Sequence, residues 1–359
     1  MTTNVSPAVR KTTIGALLAQ LALLTAFAQG PLTPPAPPGP SMQTLDQIGA
    51  KTDQINTKAD QVNTKVDQIN SKAEKRIPIT QASLPLTINA PGSYYAAENL
   101  TVAGGNAITI NATGVSVELN GFTITSTASP ASGDGIHLTD SARDVSISNG
   151  HIVGGITYNG TSFTGPGFSN AIRGPGAGSN STSILVRDVT VSGCGSGILV
   201  FNNASTSVQH CAVSNVSGDG INAETVTDSS VFRSGGNGIN ATTAHNCSAR
   251  NTISGYGIIA SAATNSYGQS TSGTGLFATE ATNCVGQSSS GTGLIAVNAT
   301  NCLGATNSGG DGLVASCTAS FSRGSNSGPG VGLDANIAIG CTGSAGSGGT
   351  PVVANNKYL

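Results

Sequence analysis

The chain has 359 residues, with 15 basic and 17 acidic side chains, a formal net charge of −2, 9% charged and 4% aromatic residues, no Trp and 49 Gly. A near-neutral chain lacks the basic footprint of a nucleic-acid binder, 37% hydrophobic residues exclude a charge-driven disordered tail, and glycine without a G-X-Y period excludes collagen. An extracellular-type β protein rich in turns remains.

Residues 1–28 read as a secretory signal peptide. Arg10 and Lys11 form the positive start, Ile14 to Leu24 the apolar run, and Ala26-Phe27-Ala28 the small-x-small cleavage pattern. The run is too short to span ~30 Å of hydrocarbon, and no later segment is apolar enough to cross a membrane. A secreted or cell-surface protein is therefore expected. Residues 29–44 form a Pro-rich linker, with six Pro between Gly30 and Pro40. Pro fixes φ and lacks the amide donor, so this stretch is a semi-rigid spacer.

Residues 45–76 carry an unbroken heptad. Leu45, Thr52, Ala59, Val66 and Ala73 fall at a, and Ile48, Ile55, Val62 and Ile69 at d. The pattern predicts a helical coiled-coil segment. Ile and Val at d favour three or four strands over a parallel dimer, so a homo-oligomer, with the trimer favoured, is expected.

Residues 77–359 repeat G-x-G-[IL], and from Gly218 onward the steps are 18, 19, 18, 18, 19 and 20 residues. No repeat has room for a useful helix. One coil of a parallel β-helix fits, with about three short strands joined by tight bends. A second column lies eight residues after each Ile or Leu: Cys247, Ser266, Cys284, Cys302, Phe321 and Cys341. Val145 and Val189 take the same place in earlier coils. Strand alternation turns this column inward and the preceding Asp144, Asp188, Asp228, Asn246, Asn265, Asn283 and Asn301 outward or into a left-handed bend. The next inward position runs Val117, Ile147, Val191, Val231, Ala249, Gly268, Gly286 and Gly304, so the C-terminal coils should be narrower. The column accounts for most of the seven cysteines as a ladder of buried thiols rather than disulfides, with Cys284–Cys302 the pair closest to bridging. The fold class expected is all-β, a single-stranded right-handed parallel β-helix preceded by the helical segment.

Leu84 to Tyr95 (LPLTINAPGSYY), Asn99 to Val102, Ala107 to Ile110 and Val117 to Ile124 (VELNGFTI) resemble secreted bacterial proteins with right-handed parallel β-helix repeats, a pectin-lyase-like group whose members mostly lack an assigned activity. The resemblance extends to Gly30-Pro-Leu-Thr-Pro-Pro, Met42 to Ile48 and Arg76 to Ile79, but the heptads at 51–72 look inserted and lie outside it.

Enzymes of that fold class use paired acids, a basic residue and often Ca²⁺. The signatures N-T-D, G-H-G, R-I-K and R-x-P-x-x-R are absent from this chain. The densest polar cluster is Asp134, His137, Asp140, Arg143, Asp144 and His151. It suits general acid/base chemistry by a histidine beside a carboxylate, or Ca²⁺ held by the acids. A solvated face with turn-stabilising Asp is the preferred account, because the echo of Arg143-Asp144-Val145 in Arg187-Asp188-Val189 suggests a stacked surface ladder rather than a unique site. His210 and His245 read as structural. Residues 154–183 break the repeat and carry Tyr158, Phe163 and Phe168, aromatics suited to stacking on sugar rings. The sequence thus points to a structural, adhesive or surface-binding protein without catalytic activity or cofactor, its partner a polysaccharide or other cell-surface component. A polysaccharide lyase or glycoside hydrolase and a carbohydrate-binding module are the alternatives.

Overall fold

A computed structural model describes residues 44–72, 76–175, 183–200 and 205–358. The signal segment, most of the linker and Ala73 lie outside these residues. The chain divides into two units, residues 1–74 and 75–359.

In the first unit, Leu45–Lys72 form one α-helix. Thr44 opens it, its hydroxyl accepting from the Gln47 amide at 3.2 Å while the Gln47 side chain accepts from the Thr44 amide at 3.1 Å, a reciprocal cap. The described heptad residues Leu45, Ile48, Ile55, Val62 and Val66 are all exposed. Among the described residues this is the one α-helix, and nothing there pairs with it as a second strand of a coiled coil.

The second unit is an all-β parallel solenoid of about 14 turns. Three sheets run along it. Sheet A contains Leu86–Ile88, Ile108–Ile110, Asp134–Leu138, Asn170–Arg173 and Ser196–Leu199, each paired in parallel with the next. Sheet B contains Ile77–Ile79, Gly92–Ala96, Thr113–Glu118, the leading halves of Arg143–Val153 and Ile184–Ser192, and Thr206–Gln209. Sheet C contains Leu100–Val102, Thr123–Ser126, the trailing halves of the same two long strands, Ala212–Val216, Ser230–Ser234, Ser248–Thr252, and one strand per coil to Thr342–Ser344.

From Ile221–Thr227 onward each coil has two strands rather than the three expected. One seven-residue strand pairs with the sheet A and sheet B strands of the coil before it. In Ile258–Thr264 the buried positions are 258, 260 and 263, so the alternation slips by one residue where the chain crosses between the sheets. The bend survives without a break in pairing.

One row of inward side chains explains the G-x-G-[IL] signature. Ile108, Ile136, Ile172, Ile198, Ile221, Ile239, Ile258, Leu276, Leu294, Leu313 and Leu333 stack in register. All are fully buried, and each such side chain contributes about 1.5–3 kcal/mol by burial. Sheet C shows the expected shrinkage from Val191 onward, with Val191, Val213, Val231, Ala249, Gly268, Gly286, Gly304 and Gly324 in one row, whereas Val117 and Ile147, expected in it, pair with each other on sheet B. The late coils are flat enough to require it. A Cβ on Gly286 would stand 2.3 Å from the Gly293 carbonyl oxygen.

The bend into sheet C is a left-handed column: Asn120, Asn149, Asp188, His210, Asp228, Asn246, Asn265, Asn283, Asn301 and Phe321 all have φ between 48° and 57°. Asn and Asp adopt this region at low cost, and their side chains link coils. The Asn246 amide donates to Asp228 at 3.0 Å and the Asn283 amide to Asn265 at 3.1 Å. Asp144 lies at a different bend, because Val145 pairs with Ile184 whereas Val189 pairs with Gly150. The Arg-Asp-Val echo is therefore not a ladder. Phe321 points out, 67% exposed, and Ser322 takes the buried place. The cause is an irregularity between Ala315 and Thr318, which delays the bend by one residue. A further buried row was not anticipated: the hydroxyls of Ser270, Ser288 and Thr306 donate to Gly255, Gly273 and Gly291 carbonyls at 2.6–2.7 Å, stapling successive turns.

Candidate functional site

Asp134 and His137 lie on one sheet A strand. Asp134 is 5% exposed. Its Oδ2 lies 2.8 Å from His137 Nδ1, and its Oδ1 accepts from the Asn170 amide at 2.8 Å. Burial of a carboxylate demands such partners. The Asp134 main-chain amide donates to Asn106 at 2.9 Å, so three coils are tied together here. Arg173 sits in register beside His137 on the following coil.

The rest of the cluster is elsewhere. Asp140 is exposed in the turn after the strand. Arg143 opens the sheet B strand opposite Thr113, with Asp144 exposed at the adjoining left-handed bend. His151 is exposed on sheet C between Thr123 and Thr190. Six residues within eighteen positions thus divide among three sheets and a turn, because the chain passes all three sheets within one coil. Among the described residues no three His, Cys, Asp or Glu side chains gather as a metal-ligating group, and Asp134 has spent both oxygens on protein donors. The acids do not fit the Ca²⁺ reading.

The aromatic segment divides as well. Thr157–Tyr158 and Phe163–Thr164 form a small antiparallel hairpin. Its rings pack at 4.8 Å between centroids. Phe168 is fully buried in the solenoid core and offers no stacking surface. The hairpin lies against sheet C. The Arg233 guanidinium stands 5.9 Å from the Tyr158 ring centre and 5.1 Å from that of Phe232. One coil further, Arg250 lies 5.0 Å from the Tyr267 ring centre, and the Tyr267 hydroxyl donates to Gln287 at 2.6 Å. Phe232, Arg233, Arg250 and Tyr267 escaped the sequence reading because each sits in an ordinary repeat. Only the alternation of outward positions could have flagged them.

All seven cysteines are free thiols. Six are buried and Cys317 is exposed. Burial pushes the Cys194 thiol up to about 12, and those of Cys211 and Cys247 to about 11. In the stacked Cys284–Cys302 pair, the hydrogen bond that the Cys302 thiol donates to Cys284, then burial, drive Cys302 upward, and the same bond draws Cys284 downward. Cys194, Cys211, Cys247 and Cys302 are thus core side chains held as thiols at neutral pH. His210 lies in the left-handed column, 3.6 Å from Asp228 and 4.0 Å from Asp188.

No family profile and no curated protein matches this chain. Among solved structures, the enzymatically active domain of tailspike protein 2 of bacteriophage CBA120 matches at 14% identity and a TM-score of 0.27, over 79% of this chain and 42% of that one. The chain therefore spans less than half of that structure's length, and at this score the likeness bears on neither site nor activity.

Proposed function

We propose that the protein is an exported surface-binding protein, adhesive or structural, whose solenoid displays rows of side chains for contact rather than a catalytic centre. The observation that carries this reading is the distribution of the polar cluster. Asp134 and His137 belong to sheet A, Arg143 to sheet B and His151 to sheet C, so these groups do not face one substrate. The reading includes export through residues 1–28 and self-association, as a trimer, through the heptad helix. The full chain should bind members of a glycan array or whole cells while releasing neither reducing ends nor unsaturated uronates from pectate and alginate.

A second reading is favoured by one observation. Asp134 orients His137 through its Nδ1 at 2.8 Å, with Arg173 beside it. A histidine so held is the arrangement a general base requires, and the guanidinium suits an acidic sugar. That reading is a lyase or hydrolase acting on sheet A. Turnover of an acidic glycan that disappears in His137→Ala would establish it and remove the non-catalytic one.

A further inference from the structure

The chain is near neutral as a whole, and its arginines are spread over all three sheets, yet its strand carboxylates are not. Of the carboxylates on solenoid strands, Asp134, Glu118, Glu224, Glu280 and Asp334 lie on strands that build sheets A and B, and Asp144 and Asp188 stand at left-handed bends of the two long strands, outside their sheet C halves. No strand segment of sheet C carries Asp or Glu. It carries Arg233, Arg250 and Arg323 instead. Among the described residues, none of these three arginines is ion-paired. The carboxylates at the borders are engaged. Asp219 and Asp311, in turns leaving the sheet, accept from the Asn237 and Val331 amides at 2.7 and 2.8 Å. Asp228, at the bend entering it, accepts from Asn246.

The same sheet gathers aromatic surface. Phe232 is 43% exposed, and Tyr158 and Tyr267 are half-buried. Arg233 lies between Phe232 and Tyr158, with Nη1 donating to Asn215 at 3.2 Å. The two rings and that hydrogen bond restrain the guanidinium, so less side-chain entropy remains to be lost on binding. Arg323 lies five coils beyond the Phe232 strand in the parallel register, roughly 24 Å at ~4.8 Å per strand. A shallow cavity of about 130 Å³ lined by Gln269, Gln287 and Asn307 interrupts that path with amides. The track is therefore long, positively charged, and studded with rings and amide groups.

We propose that sheet C, from the Tyr158 hairpin to Arg323, is a binding face for an acidic polysaccharide. Tyr158, Phe232 and Tyr267 stack on the C–H faces of sugar rings, and the three arginines hold carboxylate or sulfate groups by charge-assisted hydrogen bonds. The occupant follows from charge complementarity: aromatics alone would accept any sugar, whereas unpaired arginines on an acid-free sheet select anions. The inference rests on the surface-binding reading and assigns its ligand class and place.

Isothermal titration of the full chain with polygalacturonate, dextran sulfate and unmodified dextran tests it. Binding of one or both anionic polymers and not of dextran is expected, the two arms separating carboxylate from sulfate recognition, with affinity falling as salt is raised. Arg233→Ala/Arg250→Ala should weaken binding at least tenfold, and the milder Arg250→Gln should weaken it several-fold should the double variant misfold by circular dichroism. Arg143→Ala/Arg187→Ala removes the same charge from sheet B and should bind as the parent does. Failure of the parent to bind either anionic polymer overturns the inference, as does equal loss in the two double variants. Retained binding to cells or neutral glycans in that event would leave the surface-binding reading standing and remove only this face.

Discussion

Cys247 occupies a buried column that serine shares, with Ser229 and Ser266 on the coils either side. The Cys247 amide donates to Ser266 Oγ at 3.1 Å, and the Cys211 amide to Ser229 Oγ at 3.1 Å. A small side chain with one weakly polar atom is what the position requires. The thiol adds a pH dependence that the hydroxyl lacks. Burial raises Cys247 from 9.0 to about 11, so the unfolded chain releases its proton first. The stabilisation is whole below pH 9 and is lost as pH rises toward 11. Under reducing conditions Cys247→Ser should stay within about 1 kcal/mol of the parent at pH 8, and from pH 8 to 10 should lose less stability than the parent by on the order of 1 kcal/mol. Urea midpoints at the two pH values measure this. Parallel losses in both proteins would exclude the thiol as the source.

At the scale of elements, the helix and the strands obey different rules. The strands bury one side against their own chain. In the helix, the seam residues Ile48, Ile55, Val62 and Val66 are between 44% and 58% exposed. Its Thr52, Thr57 and Thr64 hydroxyls return to the carbonyls of Ile48, Asp53 and Asp60 at 2.8–3.0 Å, so their polar groups are met within the helix. The apolar seam is what remains to be covered. Light scattering should find an oligomer whose population rises with concentration, and Ile55→Asp should shift it to monomer without changing the β-type circular dichroism. A parent that is monomeric at every accessible concentration would end the proposal. The heptad was legible in the sequence because seven-residue spacing is a local property, but the number of strands depends on how the a and d layers pack in a partner.

The whole solenoid behaves as a one-dimensional stack, each coil touching its neighbours. Leu276, Asn283, Cys284 and Gly286 register with Leu294, Asn301, Cys302 and Gly304. Removing residues 276–293 therefore joins Gly275 to Leu294 at equivalent points. That deletion should fold, keep its β-type circular dichroism and lower the thermal midpoint by only a few degrees. A chain that aggregates or loses its β signal would contradict the nearest-neighbour picture. The Arg233 and Arg250 coils lie upstream of the excision, so they are retained.

The sequence by itself determined the coil. The G-x-G-[IL] step, the Asn/Asp residues of the bend and the shrinking inward row are each set by one coil's local needs: a buried branched side chain, a left-handed φ, and room between close backbones. The tertiary structure decided which outward side chains share a sheet. That assignment depends on the count of residues between bends, summed over all preceding coils. One irregularity near Ala315 was enough to move Phe321 out and Ser322 in. The adjacency of Asp134 to His151 in the chain hid their separation onto different sheets. The distance in sequence between Tyr158 and Arg233 hid their contact at 5.9 Å. Strand alternation is local, whereas coil register is cumulative, and the rows that could bind a partner are built by register.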